Sequence, residues 1–119
     1  MSDFSKLRKL KKIKEILTKQ TNKYPKFYKK VWLETTKIPK GKVLTYKQLA
    51  QKIGFPKAYR LVGIALNKNP FAPVVPCHRV IKSDGSIGGY SKGIKQKIFL
   101  LKKEGVKIKK IGSKIKVEF

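Results

Sequence analysis

Thr45-Tyr46-Lys47-Gln48-Leu49-Ala50-Gln51-Lys52-Ile53-Gly54-Phe55-Pro56 is the stretch whose reading decides the fold. Thr45 followed three residues later by Gln48 is a capping-box pattern, in which the hydroxyl and the amide side chain each take a free backbone donor at a helix start. It predicts a short helix running to Ile53. Gly54 ends that helix, and Pro56 suits the first turn of a second one, which carries Val62, Ile64, Ala65 and Leu66 until Asn69-Pro70 breaks it. Two helices across a short turn, in a basic chain, predict a helix-turn-helix. Any helical hairpin shares this spacing, so the flanking sequence has to support it. The outward positions of the second helix include Ala58, Gly63 and Asn67, with Arg60 as its one strongly polar reader. Small residues let a backbone approach a groove closely, which suits binding by shape rather than by base sequence.

Upstream, Phe27 to Thr35 reads as a helix turning Phe27, Val31 and Trp32 toward a core, followed by a turn at Ile38-Pro39-Lys40-Gly41-Lys42. Residues 4–20 read as an amphipathic helix, with Phe4, Leu7, Leu10, Ile13 and Leu17 spaced by three or four. The chain is therefore divided into a basic N-terminal helix over 1–23 and one domain over 24–119. Downstream, Val80-Ile81 and Ser86-Ile87 flank a Ser83-Asp84-Gly85 turn, a hairpin or wing. Gly88-Gly89-Tyr90-Ser91 is a loop. Ile94 to Glu104 is the last helix, with Ile94, Ile98 and Leu101 inward and Gly105 as its stop. In the tail Val106 and Ile108, then Ile115, Val117 and Phe119, alternate with polar residues around Gly112-Ser113-Lys114, which predicts a two-stranded hairpin. The expected fold class is α+β: a compact winged helix-turn-helix domain with a small β-hairpin or wing and a short N-terminal amphipathic helix.

Composition narrows the function. The 119 residues carry 31 Lys and Arg against six acids, a formal charge of +25. A polyanion is the expected partner, nucleic acid above all; a lysine-biased, solvated surface is the alternative. Only Arg8, Arg60 and Arg79 are arginines, so Arg60 and Arg79 mark positions where a planar or bidentate guanidinium is wanted. One cysteine forms no internal disulfide, and one Cys with one His builds no Cys/His zinc centre, so no structural metal is expected. No apolar run resembles a signal peptide or the roughly 20 residues of a membrane span. A monomer in the cytoplasm, associated with the nucleoid and not with membranes, is expected.

Pro76-Cys77-His78-Arg79-Val80 holds the only Cys and the only His. A thiol beside an imidazole fits a nucleophilic cysteine, whose thiolate is the attacking form; a small buried Cys next to a surface His fits equally. Glu104, a carboxylate in a last helical turn, is unfavourable against the helix dipole and so is expected to bridge to His78 or a Lys.

Taken together these motifs closely resemble the O6-alkylguanine-DNA alkyltransferase family over about Phe27 to Val106. They are Ile38-Pro39-Lys40-Gly41-Lys42-Val43, Thr45-Tyr46-Lys47-Gln48-Leu49-Ala50, Asn69-Pro70, the Pro-Cys-His-Arg-Val motif, Gly88-Gly89-Tyr90-Ser91 and Leu100-Leu101-Lys102-Lys103-Glu104-Gly105. The resemblance implies single-turnover repair of double-stranded DNA containing O6-alkylguanine. The alkyl group passes irreversibly from a flipped guanine to Cys77, without a cofactor. By the same likeness Glu104 orients His78, His78 through a water helps keep Cys77 as thiolate, and Tyr46 gives a proton to the departing guanine. Arg60 enters the base stack, with Ala58, Gly63 and Asn67 also facing DNA. Tyr90, Ser91 and Val80 line the base pocket, and Asn69 braces the helix-to-loop turn. Two departures stand out. Many members carry a further N-terminal domain, and the short chain is also similar to alkyltransferase-like proteins, which bind alkylated DNA, recruit other repair factors and lack the reactive cysteine. The basic tail after Val106 lies outside the resemblance and has no implied role.

Overall fold

The capping box closes as expected. Thr45 Oγ1 accepts from the Gln48 amide at 3.1 Å, and Gln48 Oε1 accepts from the Thr45 amide at 2.9 Å. The computed structural model describes residues 2–18 and 24–118. Its elements are α1 (Ser2–Thr18), α2 (Lys26–Thr35), β1 (Leu44–Thr45), α3 (Tyr46–Lys52), α4 (Tyr59–Asn67), a 3-10 turn (Cys77–Arg79), β2 (Val80–Ile81), α5 (Ile94–Lys103), β3 (Ile108–Ile111) and β4 (Lys114–Val117). The expected extension of the first helix to Gln20, the 23/24 boundary, the Phe4 side chain and Phe119 lie outside what is described.

The helix-turn-helix is α3 and α4, each packed on α2. Val31, Leu49, Ala50, Val62 and Ala65 are fully buried there around Trp32. Trp32 Nε1 donates to the Ala65 carbonyl at 2.8 Å, so the indole ties α2 to α4 as well as filling the core. A smaller apolar cluster, Ile81, Ile87, Leu101, Val106 and Val117, lies under the C-terminal hairpin. That hairpin forms as the tail alternation predicts, β3 and β4 pairing antiparallel with Ile108 opposite Val117 and Ile111 opposite Lys114.

Four expectations are corrected. Pro56 does not open the second helix. The Phe55 amide reaches back to the Ala50 carbonyl at 3.0 Å and the Ala58 amide to Phe55 at 2.9 Å, a turn that delays α4 to Tyr59. Val80-Ile81 does not pair with Ser86-Ile87 as a hairpin. It runs parallel to β1, Leu44 opposite Val80 and Thr45 opposite Ile81, while Ser86 bridges to Lys116 in the tail hairpin. Leu7 is 61% exposed, because α1 joins the main core through Ile13 and Leu17. Ile94, the first residue of α5, is 51% exposed. The inward stripe of α5 consists instead of Lys97, Ile98 and Leu101.

Candidate active site

Three local constraints set Cys77. Asn69 caps the chain as it leaves α4: its Nδ2 donates to the Val75 carbonyl at 3.0 Å and its Oδ1 accepts from the Phe71 amide at 2.8 Å. The Cys77 amide donates to Val75 at 2.8 Å, and the Arg79 amide to Pro76 at 2.9 Å, winding the 3-10 turn. Parallel pairing of β2 with β1 then anchors the end of that turn beside the start of α3, which carries Tyr46. Non-local pairing thus brings the thiol and the phenol to one cavity.

That cavity, about 470 Å³, is lined by Cys77, Tyr46, Tyr90 and Ser91 on one side and by Arg60, Gly63 and Asn67 of α4 on the other. Its size falls within the range of small-ligand sites, roughly 300–1,000 Å³. Gly88 is required at its edge. It adopts φ +76°, and a Cβ there would stand 2.9 Å from Tyr46 Oη. Val80, expected in the pocket, is fully buried in β2, and the surface of the cavity is made without it. Ala58 is the half-buried N-cap of α4 and lies outside the cavity wall.

Behind the thiol runs a hydrogen-bonded chain. His78, 1% exposed, has its Nε2 3.1 Å from Glu104 Oε2. Arg79 grips the same carboxylate with two donors, Nε to Oε1 at 2.9 Å and Nη2 to Oε2 at 2.6 Å, while Nη1 donates to the Ile38 carbonyl at 2.7 Å. Burial pushes the Glu104 carboxyl up, but the hydrogen bonds from Arg79 and His78 outweigh it and hold the group below its ordinary range. Glu104 therefore stays ionised and takes the Nε2–H of His78. Burial, opposed by Glu104 and aided by the charges of Arg79 and Lys97, lowers the His78 pKa. The imidazole is neutral near pH 7, and its buried Nδ1 has no hydrogen-bond partner among the described residues. A neutral ring donating from Nε2 presents a proton-accepting lone pair at Nδ1.

The thiol itself departs from expectation. Its surroundings do not hold it as a thiolate, because burial pushes the Cys77 pKa up further than the hydrogen bond from Asn69 and the charges of Lys97 and Lys92 pull it down. A resting protonated thiol beside a neutral base is an arrangement that makes thiolate on demand. Burial and the nearby Cys77 also raise Tyr46, so its hydroxyl keeps its proton. Tyr90, raised to about 12 by burial first and then by Cys77 and Glu104, has a buried hydroxyl with no partner among the described residues.

Sequence reasoning missed two residues. Arg79 was read only as a place that wants a guanidinium; the structure makes it the clamp on Glu104. Lys97 was not singled out at all. It is fully buried, its Nζ donating to the Val80 carbonyl at 2.7 Å and the Gly89 carbonyl at 3.0 Å, and burial brings its pKa down to about 8. The signal was a lysine three residues after Ile94, on the stripe assigned inward. Because the Lys97 charge favours ionised Cys77, Lys97→Met is expected to move the pH profile of Cys77 reactivity toward an uncharged alkylating probe to higher pH. Probe kinetics across pH check this, and an unchanged profile in a cooperatively melting variant would remove Lys97 from the electrostatics of the thiol.

Fold and site together define a helix-turn-helix domain whose second helix forms one wall of a pocket that is also lined by the chain's single cysteine. Residues 26–106 match the family described as 6-O-methylguanine DNA methyltransferase, DNA binding domain. A methylated-DNA--protein-cysteine methyltransferase of Methanosarcina barkeri is 54% identical over 78 residues, 66% of this chain and 49% of that protein. One from Saccharolobus islandicus is 55% identical over 85 residues, 71% of this chain and 54% of that protein. Among solved structures, Mycobacterium tuberculosis OGT in complex with DNA superposes with a TM-score of 0.67 at 43% identity, covering 69% of this chain and 51% of that one. S. pombe Atl1, in complex with damaged DNA containing O6-carboxymethylguanine, gives a TM-score of 0.72 at 36% identity, covering 78% of this chain and 89% of that one. The chain belongs to the 6-O-methylguanine DNA methyltransferase DNA-binding-domain family. It spans about half the length of the curated relatives it matches.

Proposed function

We propose that this chain repairs DNA by accepting the alkyl group of O6-alkylguanine on Cys77, irreversibly and once per molecule. The observation that carries the reading is Cys77 in the cavity wall, followed in the chain by neutral His78, whose Nδ1 has no partner among the described residues while its Nε2 is engaged by Glu104. His78 draws the thiol proton through a water. The sulfur forms a bond to the alkyl carbon as the carbon–O6 bond breaks, and the electron pair of that bond leaves with guanine. Tyr46 supplies the proton that neutralises the departing base. Tyr90 and Ser91 hold the base in the cavity, and Asn69 keeps the Cys77 turn in place. The proposed form is a monomer acting on duplex DNA in the cytoplasm, at the nucleoid. Among the described residues no helix is long and apolar enough to cross a membrane.

The test is stoichiometry. Incubated with excess duplex bearing methylated guanine, each molecule is expected to take up one methyl on the peptide containing Cys77 and then stop, as peptide mass spectrometry reads directly. Tight binding of the methylated duplex with Cys77 unmodified would instead favour the non-enzymatic sensor. That second reading has one observation behind it, the likeness to Atl1, solved in complex with damaged DNA, at a TM-score of 0.72.

Arg60 is exposed on α4 and borders both this cavity and a neighbouring groove with Tyr46, Lys47 and Lys82. We assign it to the stack position left by the flipped base, with Gly63 and Asn67 facing DNA beside it and Ala58 at the start of the same helix. Flipping costs a few kcal/mol, so Arg60→Ala is expected to slow repair in duplex DNA by on the order of tenfold while sparing transfer from free benzylguanine. Equal losses on both substrates would make Arg60 structural.

A further inference from the structure

The β3–β4 hairpin begins beyond residue 106, where the family match ends. Residues 107–118 contain five lysines and one acid. The pairing divides them by face. Ile108, Ile115 and Val117 turn toward the smaller apolar cluster, and the opposite face carries Lys109, Lys116 and Lys114 with Ile111, which is 50% exposed. Lys109 stands directly across from Lys116. Like charges in a cross-strand pair are unfavourable, and the ion pair this face makes among the described residues is an exposed one, the Asp84 carboxylate lying 3.6 Å from Lys114 Nζ. Such an outward face is poorly neutralised within the chain.

The hairpin is also held rigidly and in a telling place. The Ile87 amide donates to Ile115 at 3.0 Å, the Val117 amide to Gly85 at 2.9 Å, and Ser86 bridges to Lys116. Its tip, Ser113 and Lys114, lines a groove of about 430 Å³ together with Lys82, Gly88 and Gly89. Gly89 also lines the Cys77 cavity, and Lys82 also lines the groove that contains Arg60 and Lys47. Lys114, at the tip of the lysine face, thus stands on a groove that meets the Cys77 cavity at Gly89.

We infer that the β3–β4 hairpin is a second phosphate-binding element, a basic wing that seats the DNA backbone flanking the alkylated nucleotide. The inference rests on the DNA-repair reading above and adds a surface outside the matched domain. Each phosphate neutralised contributes about 0.9 to the slope of log affinity against log salt. The combined variant Lys109→Gln, Lys114→Gln, Lys116→Gln is therefore expected to bind undamaged duplex about tenfold or more weakly at low salt, with a slope lower by about 2. Its melting temperature and its transfer rate from free benzylguanine should match wild type, since these side chains touch neither core nor cavity. The corresponding Lys→Arg triple variant is expected to restore the slope. A steep wild-type slope left unchanged in the Gln variant would overturn the wing and leave the repair reading standing. Failure of the wild type to bind any duplex would remove both.

Discussion

Cys77→Ala is expected to abolish alkyl uptake completely while leaving binding of the methylated duplex in place. Cys77 is the only thiol in the chain, and displacement at an alkyl carbon needs a soft anionic nucleophile that no neighbouring group supplies. Tyr46 and Tyr90 line the same cavity, but burial raises both phenols, so neither presents an anion near neutral pH. The truncation itself is mild for the fold, since Cys77 packs as a small side chain at the end of the main core and its amide, not its sulfur, holds the turn to Val75. Mass spectrometry of the intact variant, together with a binding titration on damaged duplex, checks both halves. Any methylated peptide in the variant would place the acceptor elsewhere.

The second large effect is expected at Glu104. Glu104→Ala strips His78 and both arms of Arg79 of their shared acceptor while the side chains of Glu104 and Arg79 are only 11% and 16% exposed. Removing one partner of a buried ion pair strands the other, and a loss of about 2–4 kcal/mol of folding stability is expected. Transfer should slow as well, because nothing then fixes the Nε2–H tautomer of His78. Glu104→Gln keeps an acceptor oxygen, and is expected to recover much of the stability while still shifting the pH profile of Cys77 reactivity upward. The pH dependence of stability has a definite sign. Glu104 titrates below its ordinary carboxylate range in the folded chain, so its contribution is complete above that range and is lost as the pH falls through the folded value. The stability gap between wild type and Glu104→Ala should therefore be full at neutral pH and narrow in acid. Denaturant titrations at several pH values measure it, and a gap that widened in acid would contradict the assignment.

Much of this was legible in the sequence where the signal is local. Thr45 with Gln48 gave the start of α3, Gly54 its end, and the Cys-His-Arg run with Asn69 and Glu104 named most of the site before any geometry. Position in space was harder. A two-residue strand such as Val80-Ile81 has no periodicity to read, and its partner, Leu44-Thr45, lies on the far side of the helix-turn-helix, so the nearer Ser86-Ile87 looked like the natural mate. Val80, which the family likeness places in the pocket wall, is instead buried in β2. Lys97 was hidden by its residue type: a lysine is expected in water, and only the two carbonyls that receive its ammonium make an interior position tolerable. The direction of the Cys77 shift was out of reach for a related reason, since it depends on how deeply the turn is buried against charges contributed from α5.

The indole of Trp32 has a practical consequence. It is the only tryptophan in the chain, and its N–H is bonded to a carbonyl of α4, the helix that bears Arg60. Its emission therefore comes from one shielded chromophore tied to a helix that lines the Cys77 cavity, with no label to disturb either. A displacement of that helix on docking would change the fluorescence at once, whereas chemistry at sulfur would register later, so rapid mixing with intact and alkylated duplexes can time recognition and reaction separately in the unmodified protein.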